Sequence, residues 1–284
     1  MHPRRAHVAG DALNPRLLRA RGAVLASLRS TLAAEGFLEV QPPVLVQSPA
    51  LEANIEALPC ADGFLHTSPE FALKRVLAAG LPRVYATTPV FRNEESGRHH
   101  AREFTMLELY LHNANYLDLI PLVEGLIVSA ASAISVATPV FSRTTVAALF
   151  GGDVPGDDDD FFRRWVTEID PTLTAPTWVL DFPARHAALS ELRGNVSERL
   201  ELYVGGLELA NGYSELRDGA ELRRRFAESA RARRAAGRSP HPTDEGVIAA
   251  SDQFPRTAGI AIGIDRLVMA LTGTPDIAEV RIGS

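Results

Sequence analysis

From Pro15 to Glu35 the apolar positions Leu17, Leu18, Val24, Leu25, Leu28 and Leu32 recur at helical spacing, with Arg21 on the same stripe. That period predicts an amphipathic helix, and Gly36 predicts its end. Phe37–Val40 reads as a short strand halted by Pro42-Pro43. After strand-like text at Phe64, Ser68-Pro69-Glu70 opens a helix through Leu77, with Ser68 as N-cap and Pro69 in the first position. Arg83–Phe91 and Glu103–Leu111 read as strands around a polar loop, and Tyr116–Ser135 as a long helix. Trp178–Phe182 is a predicted strand. Glu201–Leu209 and Gly212–Leu216 are two more, turned at the hairpin-type dipeptide Asn211-Gly212. Glu221–Ala236 reads as a charged helix, and Gly259–Ile264 as a small-residue strand running into a helix at Asp265-Arg266. Antiparallel pairs outnumber βαβ units, so the predicted class is α+β, an antiparallel sheet flanked by helices.

Composition narrows the picture. At 284 residues, 46% hydrophobic and 23% charged, the chain can bury a full core, which excludes disordered, collagen-like and coiled-coil classes. No uninterrupted apolar run reaches the length of about 18 residues that a membrane span needs. Met1-His2-Pro3-Arg4-Arg5 has no apolar segment behind it, so no secretory signal is expected. Cys60 stands alone, which excludes an internal disulfide and suits a reducing cytoplasm. The net charge of −6 advertises no face for gripping many phosphates of a nucleic acid. Of the 29 Lys and Arg residues only one, Lys74, is lysine. Codon usage suffices to explain that bias, although an enzyme handling activated acyl groups would also gain from few amines. Asp157–Asp160, after Gly151-Gly152 and Pro155-Gly156, reads as a solvated turn, because four adjacent carboxylates cannot all face one ion.

The chemistry lies in three stretches. Walker and dinucleotide glycine loops are absent, and so is a Cys/His zinc set. Phe91–Tyr110 joins two strands through a loop dense in Arg, His and Glu. Guanidinium forks bind phosphate bidentately, and an aromatic on the returning strand can stack a purine. Arg266, opening a helix after a glycine-flanked strand, offers a second cation from a separate element. Glu201 and Glu208 lie seven residues apart in apolar strand text. Carboxylates beside phosphate-binding arginines imply a Mg²⁺–nucleotide site. Glu70, Glu108 and Glu215, near Tyr110 and Tyr213, would select a cationic substrate if they converged on one pocket.

Arg92-Asn93-Glu94 with Glu103-Phe104-Thr105-Met106-Leu107-Glu108 resembles motif 2 of class II aminoacyl-tRNA synthetases of the lysyl type. Gly263-Ile264-Asp265-Arg266 resembles their motif 3. Gly36 to Pro43 is similar to the weaker motif 1, where a proline sits at the dimer interface, and Glu208–Glu215 is similar to their lysine-pocket and metal strand. His66-Thr67-Ser68-Pro69-Glu70 and Ala261 resemble the stand-alone paralogues that ligate (R)-β-lysine to elongation factor P. In the tRNA-charging relatives a glycine usually holds the place of Ala261. Lysyl-tRNA synthetases carry an anticodon-binding OB-fold before the catalytic text. Here that text begins almost at residue 1, so residues 1–284 are expected to form a single catalytic domain with no anticodon-binding domain.

The resemblance implies a class II synthetase catalytic fold and a homodimer. It implies ATP and Mg²⁺ as cofactors, and an aminoacyl-adenylate handed to a lysine of elongation factor P. It gives Arg92 and Arg266 the ATP phosphates as catalytic residues, and Phe104 the adenine face. Asn93, Glu94 and His100 would help seat the nucleotide, Leu209 would line its site, and Gly263 would let ATP approach the backbone. Glu201 and Glu208 would hold Mg²⁺. Ser68, Pro69, Glu70, Glu108, Tyr110, Asn211, Glu215 and Ala261 would form the amino-acid pocket. One departure is Ala101-Arg102, where the family commonly has Asn-Pro. Two other readings stay open: a truncated ligase charging tRNA or another acceptor, and a non-catalytic regulator on the same fold.

Overall fold

The computed structural model describes residues 13–49, 51–52, 54–93 and 97–282. Glu94 therefore lies outside the described residues, as does the segment read for a secretory signal. The elements in chain order begin with α1 (Pro15–Ala34), β1 (Leu38–Glu39), β2 (Leu45–Val46), β3 (Pro59–Cys60) and β4 (Gly63–Leu65). Then come α2 (Glu70–Ala78), β5 (Arg83–Phe91), β6 (Glu103–His112), α3 (Leu119–Ala133), β7 (Ser142–Thr145), α4 (Val146–Leu149) and α5 (Asp158–Arg164). The chain continues through β8 (Thr177–Pro183), β9 (Leu192–Arg193), β10 (Val196–Val204), β11 (Leu207–Ser214), α6 (Gly219–Ala235), α7 (Glu245–Ser251), β12 (Thr257–Gly263) and α8 (Ile264–Thr272).

The main sheet runs β1-β5-β6-β12-β11-β10-β8-β7, with β9 beside β10; β2, β4 and β3 form a small separate sheet. The pairs β5–β6, β6–β12, β12–β11, β11–β10 and β10–β8 are antiparallel, and only β1–β5 and β7–β8 are parallel. The α+β reading holds. Directly opposite residues share a face of a sheet, and here the register aligns Ala86, Glu108, Ala261, Asn211 and Glu201 across five strands. Tyr110, Gly259, Tyr213 and Arg199 form the neighbouring row. The other face carries Leu107, Leu109, Leu200, Leu202, Ala258, Ile260 and Ile262, which pack with Val24, Leu28, Leu119, Val123 and Leu267 of α1, α3 and α8. One face of the sheet is core and the other is chemistry.

Several local expectations change. The hairpin between β10 and β11 turns at Gly205-Gly206, both at positive φ (63° and 75°), not at Asn211-Gly212, which lies within β11. Gly212 serves packing instead: a Cβ there would come 2.7 Å from the Gly259 carbonyl oxygen and 2.7 Å from Ile260 Cβ. The acidic run is exposed as read, but it begins a helix. Asp157 caps α5 by accepting from the Asp160 N–H at 3.0 Å, and the next three aspartates occupy the first turn, where the helix dipole favours negative charge. At α2 the cap position is Pro69, while the Ser68 hydroxyl still accepts from the Glu70 N–H at 3.0 Å. Helix Tyr116–Ala133 is long and apolar enough to cross a membrane by length and composition alone. Its apolar side, Leu119 through Ile127, lies in the core.

Two glycines predict opposite outcomes. Gly212→Ala drives a methyl into backbone and should cost about 1–3 kcal/mol of stability. Gly22, exposed in mid-α1 with nothing within 4 Å of its absent Cβ, should stabilise by about 0.5–1 kcal/mol when changed to alanine. Urea unfolding of both variants checks this; a neutral Gly212→Ala would remove the packing account of that residue.

Candidate active site

A buried cluster of carboxylates and hydroxyls is assembled on the polar face from α2, β6 and β11. Serine, glutamate and tyrosine interlock at Glu108: the Ser68 hydroxyl donates to Glu108 Oε2 at 2.6 Å, and Tyr110 donates to Oε1. Glu70, on the first turn of α2, accepts from Lys74 Nζ at 2.6 Å and from the Tyr213 hydroxyl at 2.7 Å. Lys74 also reaches Glu215 Oε2 at 2.6 Å, just beyond β11. Lys74, Glu108 and Glu215 are 3%, 3% and 1% exposed. Gly259 makes this density possible, since a Cβ on it would lie 2.2 Å from Tyr110 Cε1 and 2.5 Å from Glu215 Oε1. Ala261 stands between Glu108 and Asn211 in the register, on the same face of the sheet. The buried Asn211 Oδ1 has no hydrogen-bond partner among the described residues, leaving it free to accept from a substrate N–H. Pro69 is buried at the start of α2.

Burial governs the ionisation here. Glu108 is pushed up to about 7 by burial and by the charge of Glu70, with its hydrogen bonds from Ser68 and Tyr110 opposing. Burial pushes Glu215 up to about 8 against the pull of Lys74. Burial pulls the Lys74 ammonium down, but Glu215 and Glu70 outweigh it and hold it charged above its ordinary range.

Arg92 lies beside this cluster. Its Nε donates to the Thr67 carbonyl at 3.4 Å, next to Ser68, and its guanidinium lies 5.3 Å from the centre of the Phe104 ring. A cavity of about 350 Å³ opens beyond, lined by His100, Glu201, Glu208 and Arg266 together with Arg199, Tyr203 and Asp170. Glu201 and Glu208 face it together only because of a β-bulge. The register steps from Leu202↔Ala210 to Tyr203↔Glu208, so Leu209 is the extra residue and the alternation changes phase. Leu209 is 4% exposed and packs its side chain in the apolar core, so only its backbone can border the nucleotide site. Glu201 accepts from Arg199 at 2.6 Å and from the Tyr203 hydroxyl at 2.7 Å. Burial and the neighbouring Glu208 still raise it to about 7.

Arg266 donates to the Glu208 carbonyl at 2.6 Å and to the His99 carbonyl at 3.3 Å. The residue before it, Asp265, accepts from the Thr105 N–H at 2.6 Å and pairs with Arg21 at 2.8 Å; Arg21 also donates to the Thr105 hydroxyl at 2.7 Å. One buried aspartate thus fastens Arg266 and the strand carrying Phe104 to helix α1. Beside Gly263 a Cβ would meet nothing nearer than 3.8 Å, so the backbone there is open to a ligand. Asn93 is tethered to the small sheet's loop by its N–H to the Glu56 carbonyl at 2.8 Å.

The structure brings Ser68, Glu70, Glu108, Tyr110 and Glu215 into one cluster, and His100, Glu201, Glu208 and Arg266 around one cavity. Sequence reasoning missed Arg199, Tyr203 and Lys74 in these clusters, while Tyr213, read as a neighbour of the carboxylates, does hydrogen-bond Glu70. The alternation Arg199-x-Glu201-x-Tyr203 was a usable signal, and so was the solitary lysine four residues after Glu70.

The mainly antiparallel sheet holds a polar cluster beside a cavity, and comparison with known proteins gives the class. The family model for tRNA synthetases class II (D, K and N) matches residues 10–282, and the chain belongs to that family. Its α+β sheet is therefore a class II synthetase catalytic fold, and such enzymes use ATP. The chain is also similar to the protein named Elongation factor P--(R)-beta-lysine ligase of Erwinia tasmaniensis, at 33% identity covering 92% of each chain. The protein of the same name from Pectobacterium atrosepticum is 32% identical, again over 92% of each.

A carboxylate with a raised pKa is neutral below it and attracts an ammonium only above it. The kcat/KM for the amino acid, at saturating ATP, should therefore climb as pH rises through about 7 to 8, while the substrate amines remain charged. Pyrophosphate exchange across that range checks this. A flat profile would show that Glu108 and Glu215 are already ionised on the acid side.

Proposed function

We propose that this chain is an ATP-dependent ligase that activates a lysine, specifically (R)-β-lysine, and transfers it to a lysine side chain of elongation factor P. The observation that carries the reading is the cluster of Glu70, Glu108 and Glu215 in one buried pocket, with Arg92 between it and the nucleotide side. Such a pocket accepts the ammonium groups of a diamino acid and leaves its carboxylate for the guanidinium. The names of the similar ligases support the isomer and the acceptor.

In the first step a carboxylate oxygen of the amino acid attacks the α-phosphorus of ATP. The bond from that phosphorus to the pyrophosphate oxygen breaks, giving the aminoacyl-adenylate. Arg92 and Arg266 stabilise the charge that builds on the transferring group, and the pocket holds the two reactants in line. In the second step the acceptor amine attacks the acyl carbon, the bond to AMP breaks, and the amine gives up a proton. Glu201 and Glu208 would hold Mg²⁺. They are hard oxygen donors, and magnesium takes few protein carboxylates because substrate phosphates complete its shell. The upward shift of Glu201 in the field of Glu208 fits a site that gains from a cation. Bound there, Mg²⁺ would supply positive charge to the phosphate oxygens.

The reading includes a homodimer of catalytic domains working in the cytoplasm. Leu38 on the edge strand β1 and Leu45 on β2 are 49% and 45% exposed, which supports an interface at the segment resembling motif 1.

The deciding experiment offers ATP, Mg²⁺ and each lysine isomer, with elongation factor P or tRNA as separate acceptors. Labelling of elongation factor P is expected; efficient charging of tRNA-Lys without it would sink the reading. Arg92→Ala should lower adenylate formation about 10²- to 10³-fold with the fold intact. Exchange within about threefold of the parent would place the chain nearer the regulator reading. Ala261→Gly should raise activation of α-lysine relative to β-lysine by roughly 10-fold or more, because one methyl between Glu108 and Asn211 discriminates where the carboxylate seats. The ratio of the two kcat/KM values decides this, since loss of folded enzyme cancels in it. An unchanged ratio would leave Ala261 a packing residue.

A further inference from the structure

Lys74 is the single lysine of the chain, and it is buried inside the amino-acid pocket. Its ammonium lies 2.6 Å from Glu70 on its own helix and 2.6 Å from Glu215 beyond β11. It also sits 5.7 Å from the centre of the Tyr213 ring. The titratable groups acting on it are Glu70 from α2, Glu215, Glu108 from β6 and Tyr213 from β11, with Glu52 in turn in the field of Glu70. Nothing in the phosphate chemistry needs this amine, because Arg92 and Arg266 occupy that role.

A buried ion pair is a poor device for stability alone, since an apolar side chain of similar volume usually does as well or better. Electrostatic bookkeeping of the pocket gives the amine another purpose. Once Glu108 and Glu215 are ionised, on the alkaline side of their raised pKa values, three carboxylates and one ammonium leave two negative charges. A diamino acid carries two ammonium groups, and its carboxylate is met separately by Arg92. Without Lys74 the pocket would hold a third uncompensated charge, and a buried carboxylate so placed takes up a proton instead.

We propose that Lys74 is a positioning residue for substrate recognition: bridging Glu70 and Glu215, it fixes both carboxylates and sets the pocket at two negative charges, the complement of a diamino acid. This rests on the reading of the pocket as an amino-acid site. Lys74 does not touch the reacting atoms. It acts through the carboxylates that hold the substrate amines.

Lys74→Met removes the charge at similar volume. Glu215 then loses its nearest cation, so the acid limb of kcat/KM for the amino acid should move to higher pH. The loss should fall on KM, by about tenfold or more, rather than on kcat. Lys74→Arg, which keeps the charge, should restore the position of the limb. A folded Lys74→Met enzyme with an unmoved limb overturns the proposal, and so does a Lys74→Arg limb displaced as far as that of Lys74→Met.

A second measurement needs no variant. With one lysine in the chain, protein made with isotopically labelled lysine gives one ammonium signal by NMR. That signal should stay in the charged form past the ordinary lysine pKa of about 10.4. It should shift when lysine or β-lysine is added, and stay put with norleucine, which lacks the second amine. Titration below the ordinary value, or the same response to norleucine, overturns the proposal even if Lys74→Met does not fold. Failure of the parent enzyme to bind either lysine isomer, with the ammonium signal still in its charged form, would count against the amino-acid reading and not against the Lys74 ion pairs.

Discussion

A carboxylate can be buried on a sheet only if a cation or hydroxyl lies within hydrogen-bond reach, and the rest of this molecule follows from meeting that condition repeatedly. Glu108 meets it with Ser68 and Tyr110, Glu201 with Arg199 and Tyr203, and Glu70 and Glu215 with Lys74. Tyr110, Arg199 and Tyr203 stand two residues along the same strand as the carboxylate they serve, while Ser68 and Lys74 reach across from α2 and its N-terminal approach. The network therefore combines local partners with the packing of α2 on the sheet. The apolar face beneath it is ordinary by comparison. Its leucines and isoleucines seal against three helices and make the sheet rigid enough to hold the network. The raised pKa values of Glu108, Glu201 and Glu215 record what remains uncompensated, which is the share a cationic amino acid or a metal ion would supply.

The parts of the fold legible in the sequence were those whose period is strong and local. α1, β5, β6 and α6 were readable because their apolar spacing and end signals agree, and the observed bounds differ from expectation by a residue or two. The β10–β11 hairpin was misplaced because two dipeptides competed for the turn. Asn211-Gly212 has the stronger local signature, yet Gly212 is needed inside β11, where β12 passes too close for any side chain. Gly205-Gly206 turns the chain instead. A clash between strands distant in sequence decided the matter, and no local rule contains it.

The site was legible residue by residue where it resembles synthetase motifs, and illegible where it depends on phase. Glu208 and Asn211 are three apart and should point to opposite faces of a regular strand. The bulge at Leu209 restores them to one face, and in doing so sends Leu209 into the core rather than to the nucleotide. Lys74 was visible as a compositional oddity, but its meaning depends on Glu215, which the sequence places more than a hundred positions away. Charge pairs that close a pocket are long-range by nature. Their members look like ordinary surface residues until the fold puts them together.

The same logic explains how the carboxylate cluster and the cavity beside Arg266 are held to one another. Phe104 belongs to β6 and Arg266 to α8, and each could relax independently if held only by its own element. Asp265 prevents that by binding the Thr105 N–H on one side and Arg21 of α1 on the other. It is 1% exposed, so the bond is made where water does not compete. Arg92 then spans the gap, resting against Phe104 while hydrogen-bonded beside Ser68. On the proposed reading, a guanidinium in that position serves both the amino-acid carboxylate and the α-phosphate it attacks. Positioning two reactants by one rigid cation is what this chemistry chiefly requires, since no protein group has to form a bond to either of them.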